Sequence, residues 1–205
     1  MNSEPIVFLH IPKTGGIAVR KALKTGFSDL HVLVHRGKAR LTLTERVAGL
    51  GIEKENPLII SVIRHPVERL LSAYWYLKNG GTRHTRRDAG DAKRVFGAYK
   101  DFEDFVTNGG LQKHHNDQVH LRPQSFWMRS GKKGDKFTLP SNLKLFRYEE
   151  MNVRLALFLS KKSSKTVTFS VANATKNKQR TEITTEMRKV IEEVYSQDLE
   201  IWNAS

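Results

Sequence analysis

Apolar residues along this chain alternate between short continuous runs and stretches of helical spacing, which predicts strands separated by helices. The runs have the length and β-branched content of buried strands, and they cover Ile6–Ile11, Leu30–His35, Pro57–Pro66 and Leu143–Arg147. The third run is the clearest strand, because it is continuous and suits a parallel sheet that is covered on both faces.

Helical spacing separates these runs and follows the last one. After the first run, Val19, Ala22 and Leu23 share one face, and Gly26 is a stop signal. Helices are predicted at 16–26, at 43–51 with Thr42 or Thr44 as cap, at 66–78, at 101–109, from the end of the fourth strand to Leu159, and from Thr184 onwards. The last of these is strongly amphipathic. Residues 78–94 and 161–180 are predicted to be loops, and 111–129 are mixed.

Strands that alternate with helices predict an α/β fold, with a central parallel sheet flanked by helices. The 205 residues, without an internal repeat or a long linker, predict a single domain over 1–205. Right-handed crossovers bring the strand-to-helix turns to one edge of such a sheet, where ligands bind. The architecture expected is therefore a P-loop-like nucleotide-binding one.

Composition and charge limit the classes of function that the chain can have. The chain has no cysteine, which excludes a disulfide framework, a thiolate metal site and a cysteine nucleophile. No apolar run approaches the roughly 20 residues of a membrane helix, and no signal-peptide pattern opens the sequence, so a cytoplasmic protein is expected. A net charge of +14 attracts polyanions. Three anionic ligands are compatible with this positive charge: nucleic acid, a phosphorylated nucleotide and an acidic glycan.

The first strand-to-helix turn has the composition of an anion site. Pro12-Lys13-Thr14-Gly15-Gly16 follows the first strand and precedes a helix. The start of a helix presents unpaired N–H groups and partial positive charge, glycine lets an anion approach closely, and Lys13 adds a full charge. An ordinary tight turn with a solvated lysine explains the same residues equally well. The triphosphate loop G-x-x-x-x-G-K-[ST] is absent.

A second strand-to-helix turn favours the anion site. Arg64 ends the third strand, and Ser72 lies two turns into the next helix, with Arg69 between them. An arginine and a serine in this arrangement can bind one phosphate from two sides. A surface arginine and a small packing serine are the alternative.

Together the two turns resemble the sulfotransferases that use 3′-phosphoadenosine 5′-phosphosulfate (PAPS). That superfamily has a first-loop motif P-K-[TS]-[GA]-[GT]-[TS]-[ST] and a later motif R-x-P-x-x-R-x-x-S-x-Y. The later motif is met in full by Arg64, Pro66, Arg69, Ser72 and Tyr74. "FLHIPKTGG" is most similar to the carbohydrate branch with heparan sulfate 2-O- and chondroitin 4-O-type enzymes. "HLRPQSFW", "LKLFRYEEM" and the C-terminal segment extend the likeness over most of the chain.

The resemblance implies a binding site for each end of the donor. The loop would hold the 5′-phosphosulfate through Pro12, Lys13, Thr14, Gly15, Gly16, Ile17 and Ala18. Arg64 and Ser72 would hold the 3′-phosphate, and a loop near the C-terminus, with Lys178 and Arg180, would close over the nucleotide. The family usually has hydroxyl residues where this chain has Ile17 and Ala18. The hydrogen bonds of those hydroxyls are missing, although backbone N–H groups can still bind the phosphate.

Transfer of a sulfuryl group to a hydroxyl needs charge stabilisation on the leaving phosphate and a base. Lys13 is expected to stabilise the negative charge on the leaving phosphate, and no metal ion is expected to take part. The product of the donor would be 3′,5′-adenosine bisphosphate. His35 ends the second strand, and related glycan enzymes carry a catalytic histidine between the two motifs, so it is the preferred base. The other candidates are His31, His10, His115 and His120.

The expected acceptor is a hydroxyl compound, a sugar, a glycan or a small metabolite, and it can be anionic. A nucleotide kinase is one alternative, but it needs a carboxylate for magnesium near a strand end, and the first three strands lack one. A polyanion or nucleic-acid binder is another, suggested by the charge, yet the chain has no recognised nucleic-acid motif. A family member that binds PAPS without catalysis is a third, suggested by Ile17 and Ala18.

Overall fold

A computed structural model gives the fold of this chain. It describes residues 5–28, 30–34, 41–52, 56–81, 86–131, 135–163, 165–169 and 181–205. Contacts divide the chain into two compact units, one made of residues 1–64, 124–172 and 205, the other of residues 65–123 and 173–204. The prediction of one domain over 1–205 stays a prediction.

The first unit contains a four-stranded sheet in the order β2-β1-β3-β4, with every pair parallel. Its strands are β1 Ile6–His10, β2 Leu30–Val34, β3 Leu58–Ile63 and β4 Leu143–Arg147. All four predicted strands and their parallel arrangement are confirmed. Ile6 pairs with Leu30 on one side and with Leu58 on the other, so β1 lies inside the sheet.

Ten helices connect and follow the strands in the described part of the chain. They are α1 Gly16–Gly26, α2 Leu43–Ala48, α3 Pro66–Lys78, α4 Arg86–Phe96, α5 Phe102–Thr107, α6 Gly110–His114, α7 Ser125–Met128, α8 Ala156–Lys162, α9 Thr185–Val194 and α10 Ser196–Ala204. A 3₁₀ turn at Tyr148–Glu150 and a π turn at Met151–Leu155 connect β4 to α8. None of the described helices combines the length and the apolar character that a bilayer crossing requires.

One apolar cluster of the first unit lies on one face of the sheet, and the opposite face, with Val7, Ile59 and Ile63, is buried as well. Side chains of β1, β3 and β4 in this cluster include Phe8, Ile60 and Phe146, and they are almost fully buried. Val19 and Leu23 of α1, together with the turn before α8, pack against them. This packing follows from the sequence, because alternate strand residues share a face and the apolar stripe of α1 has a period of 3.6. At α2, the cap is Thr42, one of the two predicted residues, and its hydroxyl accepts from the Glu45 N–H at 3.1 Å.

The second unit is helical and packs around α3. Its apolar cluster combines α3 with α4, α5, α6 and α9, and includes Leu70, Tyr74, Phe105 and Ile191. Arg69 is buried in this unit, with 0% exposure. Its guanidinium donates to the carbonyl oxygens of residues 120–122 at 2.8–3.5 Å and lies 3.9 Å from the carboxylate of Asp198. Asp198 and this set of carbonyls explain how a charge is tolerated there.

Two predictions of secondary structure are wrong in part. Residues 86–94 were expected in a loop, because glycine and charge dominate residues 78–94, but they form most of α4. Val95 and Phe96 at the end of α4 are buried in the apolar cluster, and this tertiary packing overrides the polar composition. The last predicted helix is interrupted at Tyr195, which separates α9 from α10. The face with Met187, Ile191 and Tyr195 is buried as predicted.

Candidate functional site

Three neighbouring strands of the first unit end at the same edge of the sheet. Because β1, β3 and β4 are parallel and adjacent, their carboxyl ends meet there. The loop 11–15 follows β1, Arg64 follows β3, and Tyr148 follows β4. The order β2-β1-β3 also makes the end of β1 the point where the connections leave in opposite directions, the usual ligand position in such sheets.

The loop after β1 has an unusual backbone. Lys13 has φ of 68° and Gly15 has φ of 79°, so both lie in the left-handed region. The hydroxyl of buried Thr14 donates to the Ile11 carbonyl at 3.0 Å and stabilises this turn. Helix α1 begins after Gly15 with no side-chain cap. The N–H groups of Ala18 and Val19 donate to the Gly15 carbonyl at 3.0 and 3.4 Å. The N–H groups of Gly16 and Ile17 precede these hydrogen bonds, and such N–H groups at a helix start form anion sites.

The two glycines of the loop meet different requirements. Gly15 needs its left-handed φ, and a Cβ atom there would lie 2.8 Å from the Tyr148 ring. Gly16 has no such φ, but a Cβ atom there would overlap the His10 ring. His10 is 8% exposed and stacks on Phe8, with ring centroids 6.0 Å apart. The loop can thus approach both aromatic rings only because side chains are absent at these positions.

Arg64 is held at the end of β3 by two neighbours of the first unit. Its guanidinium lies over the Tyr148 ring, 4.6 Å from the centroid. Its N–H donates to Gln124 Oε1 at 2.9 Å, and its carbonyl oxygen accepts from Gln124 Nε2 at 2.9 Å. Arg64 is 8% exposed. An arginine that is fixed by its backbone and by an aromatic ring is preorganised to bind an anion.

Lys13 and Arg64 bring two positive charges together. Desolvation by burial lowers the pKa of Lys13, and the positive charge of Arg64 lowers it further, from the ordinary 10.5 to about 8. Like charges that are held together in a partly buried site are stabilised when an anion binds between or beside them. The pair, together with the N–H groups of α1, therefore favours a phosphate or sulfate group.

Ile17 and Ala18, the two residues that differ from the family motif, lie in different environments. Ala18 is 6% exposed and belongs to the apolar core of the first unit, whereas Ile17 is 41% exposed. A hydroxyl at residue 18 would be placed among apolar side chains. At this loop the described anion-binding groups are the backbone N–H groups and Lys13.

The remaining predicted residues are distributed as follows. Pro12 is buried in the loop, and Ser72 is half-buried on α3 in the second unit. His35, Lys178 and Arg180 lie outside the described residues, so their roles stay predictions. Of the alternative bases, His31 lies on β2 and His10 on β1, and both belong to the first unit. His115 and His120 belong to the second unit.

Sequence reasoning missed two residues of this site. Tyr148 contacts both Gly15 and Arg64, and Gln124 binds the Arg64 backbone. Tyr148 could have been found from its place directly after the fourth predicted strand, because parallel strands end at one edge. Gln124 carried only a weak signal, its place in "HLRPQSFW". Within the described residues, no group of three or more His, Asp and Glu side chains is arranged to hold a metal.

Two comparisons with known proteins give matches for this chain. A family model described as the sulfotransferase family matches residues 2–203. The heparan sulfate 2-O-sulfotransferase hst-2 of Caenorhabditis elegans is 30% identical over an alignment of 109 residues, which covers 38% of this chain. The match includes 34% of the length of that relative, about a third.

Proposed function

The chain belongs to the sulfotransferase family, and from this premise we propose that it transfers a sulfuryl group from PAPS to a hydroxyl group of a sugar or glycan. The observation that carries the proposal is the pairing of Lys13 with Arg64 beside the N-terminus of α1. A donor with phosphate groups at two positions needs separate positive groups to bind them. The loop after β1 would act as a P-loop-like binding element, although its sequence differs from the triphosphate loop.

Each end of the donor has a proposed set of ligands. The segment Pro12–Ala18 binds the 5′-phosphosulfate through the backbone N–H groups that follow Pro12 and through the ammonium group of Lys13. Arg64 and Ser72 bind the 3′-phosphate, and Lys178 and Arg180 close over the nucleotide. The geometry of the first unit supports the roles of Lys13 and Arg64, because both cations lie at the edge where the strand ends meet. PAPS supplies the sulfuryl group, and 3′,5′-adenosine bisphosphate is the product.

Lys13 and His35 have complementary proposed roles in the transfer. As the sulfur–oxygen bond to the 5′-phosphate breaks, Lys13 stabilises the negative charge that develops on the phosphate oxygen. His35 accepts the proton of the acceptor hydroxyl while the new sulfur–oxygen bond forms. The proton therefore ends on the imidazole, and the charge of the leaving phosphate ends beside Lys13.

The acceptor is proposed from two observations. The relative of similar sequence is a heparan sulfate 2-O-sulfotransferase by name, which supports a sugar hydroxyl. The net charge of +14 favours an anionic acceptor, since a basic surface raises the local concentration of polyanions. A partly sulfated or carboxylated glycan satisfies both observations.

Calorimetry with 3′,5′-adenosine bisphosphate tests the proposal. The wild-type protein is expected to bind it tightly, Arg64→Ala to lose most of the binding, and Lys13→Ala to bind more weakly. Arg188→Ala is the control, because Arg188 lies half-exposed on α9 and pairs with Glu192. The cofactor assignment fails if the wild-type protein gives no heat at millimolar ligand. Magnesium-dependent turnover of ATP would instead support a kinase.

A further inference from the structure

Gln124 provides the Arg64 backbone with a hydrogen-bonding partner on both of its peptide groups. The Gln124 side chain is 1% exposed, and its carboxamide accepts from the Arg64 N–H and donates to the Arg64 carbonyl, both at 2.9 Å. Among side chains, only the carboxamides of Asn and Gln carry a donor and an acceptor in the arrangement of a peptide group. The Gln124 side chain therefore makes the two hydrogen bonds that a neighbouring strand would make with Arg64.

The hydrogen bonds between β1 and β3 explain why the Arg64 backbone is bound by a side chain and not by β1. The Leu58 N–H donates to the Pro5 carbonyl at 3.0 Å, so alternate residues of β3, counted from Leu58, direct their peptide groups towards β1. Arg64 belongs to that alternate set. However, the pairing of β1 with β3 ends at Leu9 and Ser61, because β1 turns away into the loop.

The departure of β1 has a visible cause. The Ile11 carbonyl, which would be the next acceptor along the ladder, accepts from the Thr14 hydroxyl at 3.0 Å within the loop. The same turn thus takes the Ile11 carbonyl out of the β1–β3 ladder at the level of Arg64. A buried N–H and a buried carbonyl in this position need another partner.

We propose that Gln124 is a positioning residue for nucleotide binding, which acts by fixing the Arg64 backbone where β1 leaves the sheet. The inference rests on the proposed function of Arg64 as a ligand of the 3′-phosphate. Gln124 fixes the main chain of Arg64 and Tyr148 fixes its guanidinium, so the arginine loses little freedom when the phosphate binds. Without Gln124, the Arg64 backbone would keep more freedom, and binding of the phosphate would have to remove it.

The test compares two substitutions that conserve size. Gln124→Met keeps the volume of the side chain and removes both hydrogen bonds. Gln118→Met is the matched control, because Gln118 is also 1% exposed and makes its hydrogen bonds to His120 and Asp91 within the second unit. Calorimetry is done on each full-length variant with 3′,5′-adenosine bisphosphate and with adenosine 5′-monophosphate, which lacks the 3′-phosphate.

Gln124→Met is expected to bind the bisphosphate roughly tenfold more weakly than the wild type and to bind the monophosphate equally well. Gln118→Met is expected to bind both nucleotides like the wild type. Wild-type affinity of Gln124→Met for the bisphosphate would overturn the inference. An equal loss for both nucleotides would also overturn it, since Gln124 would then support the whole loop and not Arg64.

Two further measurements separate this inference from the proposed function. If the wild-type protein binds neither nucleotide, the proposed function fails, and amide hydrogen exchange still tests the positioning. Exchange at the Arg64 N–H is expected to be faster in Gln124→Met than in Gln118→Met, and an unchanged rate contradicts the inference. If Gln124→Met does not fold, Gln124→Glu keeps the acceptor and loses the donor. Wild-type affinity of Gln124→Glu for the bisphosphate would then be the contradicting result.

Discussion

Lys13 and Arg64 hold two positive charges together at the edge of the sheet where β1 and β3 end. Desolvation by burial, and after it the charge of Arg64, lowers the pKa of Lys13 to about 8. The two residues come from different strand ends, and the adjacency of β1 and β3 brings them together. An anion bound at this edge would relieve their repulsion, and this gives the site a dependence on pH.

Nucleotide binding is expected to take up protons in the range where Lys13 titrates. A bound phosphate raises the pKa of Lys13 from about 8, so at about pH 8.5 part of the population gains a proton on binding. Calorimetry of 3′,5′-adenosine bisphosphate in buffers of different ionisation enthalpy measures this uptake. The uptake should disappear in Lys13→Met, and an equal uptake in that variant would show that another group is responsible.

Lys13→Met is expected to stabilise the protein without nucleotide at neutral pH. Because the pKa of Lys13 is lower in the folded state than the ordinary 10.5, the charged form destabilises the fold below about pH 8. That penalty fades as the pH rises from about 8 to 10.5, so the advantage of Lys13→Met should fade with it. Urea unfolding at pH 7 and pH 10 measures both effects. Lys21→Met, at an exposed position of α1, is the control and should change stability little.

Gly16→Ala is expected to destabilise the fold by about 1–3 kcal/mol and to weaken nucleotide binding, because its Cβ atom would overlap the His10 ring. Gly90→Ala is the control: nothing lies within 4 Å of a Cβ atom there, and alanine in α4 should be neutral or stabilising by about 0.5–1 kcal/mol. Urea unfolding measures both. The double variant His10→Ala, Gly16→Ala should recover part of the unfolding free energy that Gly16→Ala loses. If it recovers none, a contact other than the one with His10 causes the destabilisation.

Arg69→Met is expected to cost about 3–5 kcal/mol of unfolding free energy, because it removes the buried guanidinium that lies 3.9 Å from the Asp198 carboxylate and donates to the carbonyls of residues 120–122. Arg188→Met removes a half-exposed ion pair with Glu192 and should change stability by less than about 1 kcal/mol. Chemical denaturation of both variants measures the difference. Similar small effects of the two substitutions would contradict the structural role given to Arg69.

His35→Ala is expected to lower kcat for sulfuryl transfer by about 10²- to 10⁴-fold, the usual contribution of a general base. Binding of 3′,5′-adenosine bisphosphate should stay at the wild-type level, since the base contacts the acceptor and not the nucleotide. His31→Ala, on the same strand run, is the control. If kcat falls more in His31→Ala than in His35→Ala, the prediction is wrong and His31 is the base.

The strands could be predicted from the sequence because their signal is local. Each apolar run is complete within five to ten residues, and the parallel order follows from the helices between the runs. The edge where β1 and β3 end was therefore predictable, and with it the approximate place of Lys13 and Arg64. The single domain and the cytoplasmic location stay predictions.

The contacts that complete the site could not be predicted in the same way. His10 lies against Gly16 where α1 follows the loop, and the packing of α1 on the sheet involves residues from many parts of the first unit. Gln124 contacts Arg64 from a distant part of the sequence. Similarly, α4 forms in a segment of loop-like composition because Val95 and Phe96 are buried by other helices. Such pairings depend on tertiary structure and leave little local pattern.

The paired charges of Lys13 and Arg64 also have a practical consequence for anyone who handles this protein. We expect inorganic sulfate, phosphate and citrate in purification buffers to compete for the proposed anion site, and to raise the melting temperature with the logarithm of their concentration once it exceeds the dissociation constant. Affinities for nucleotides measured in such buffers will be too low, and dialysis into chloride or acetate is the appropriate preparation. Small dianions are, for the same reason, natural starting fragments for inhibitors.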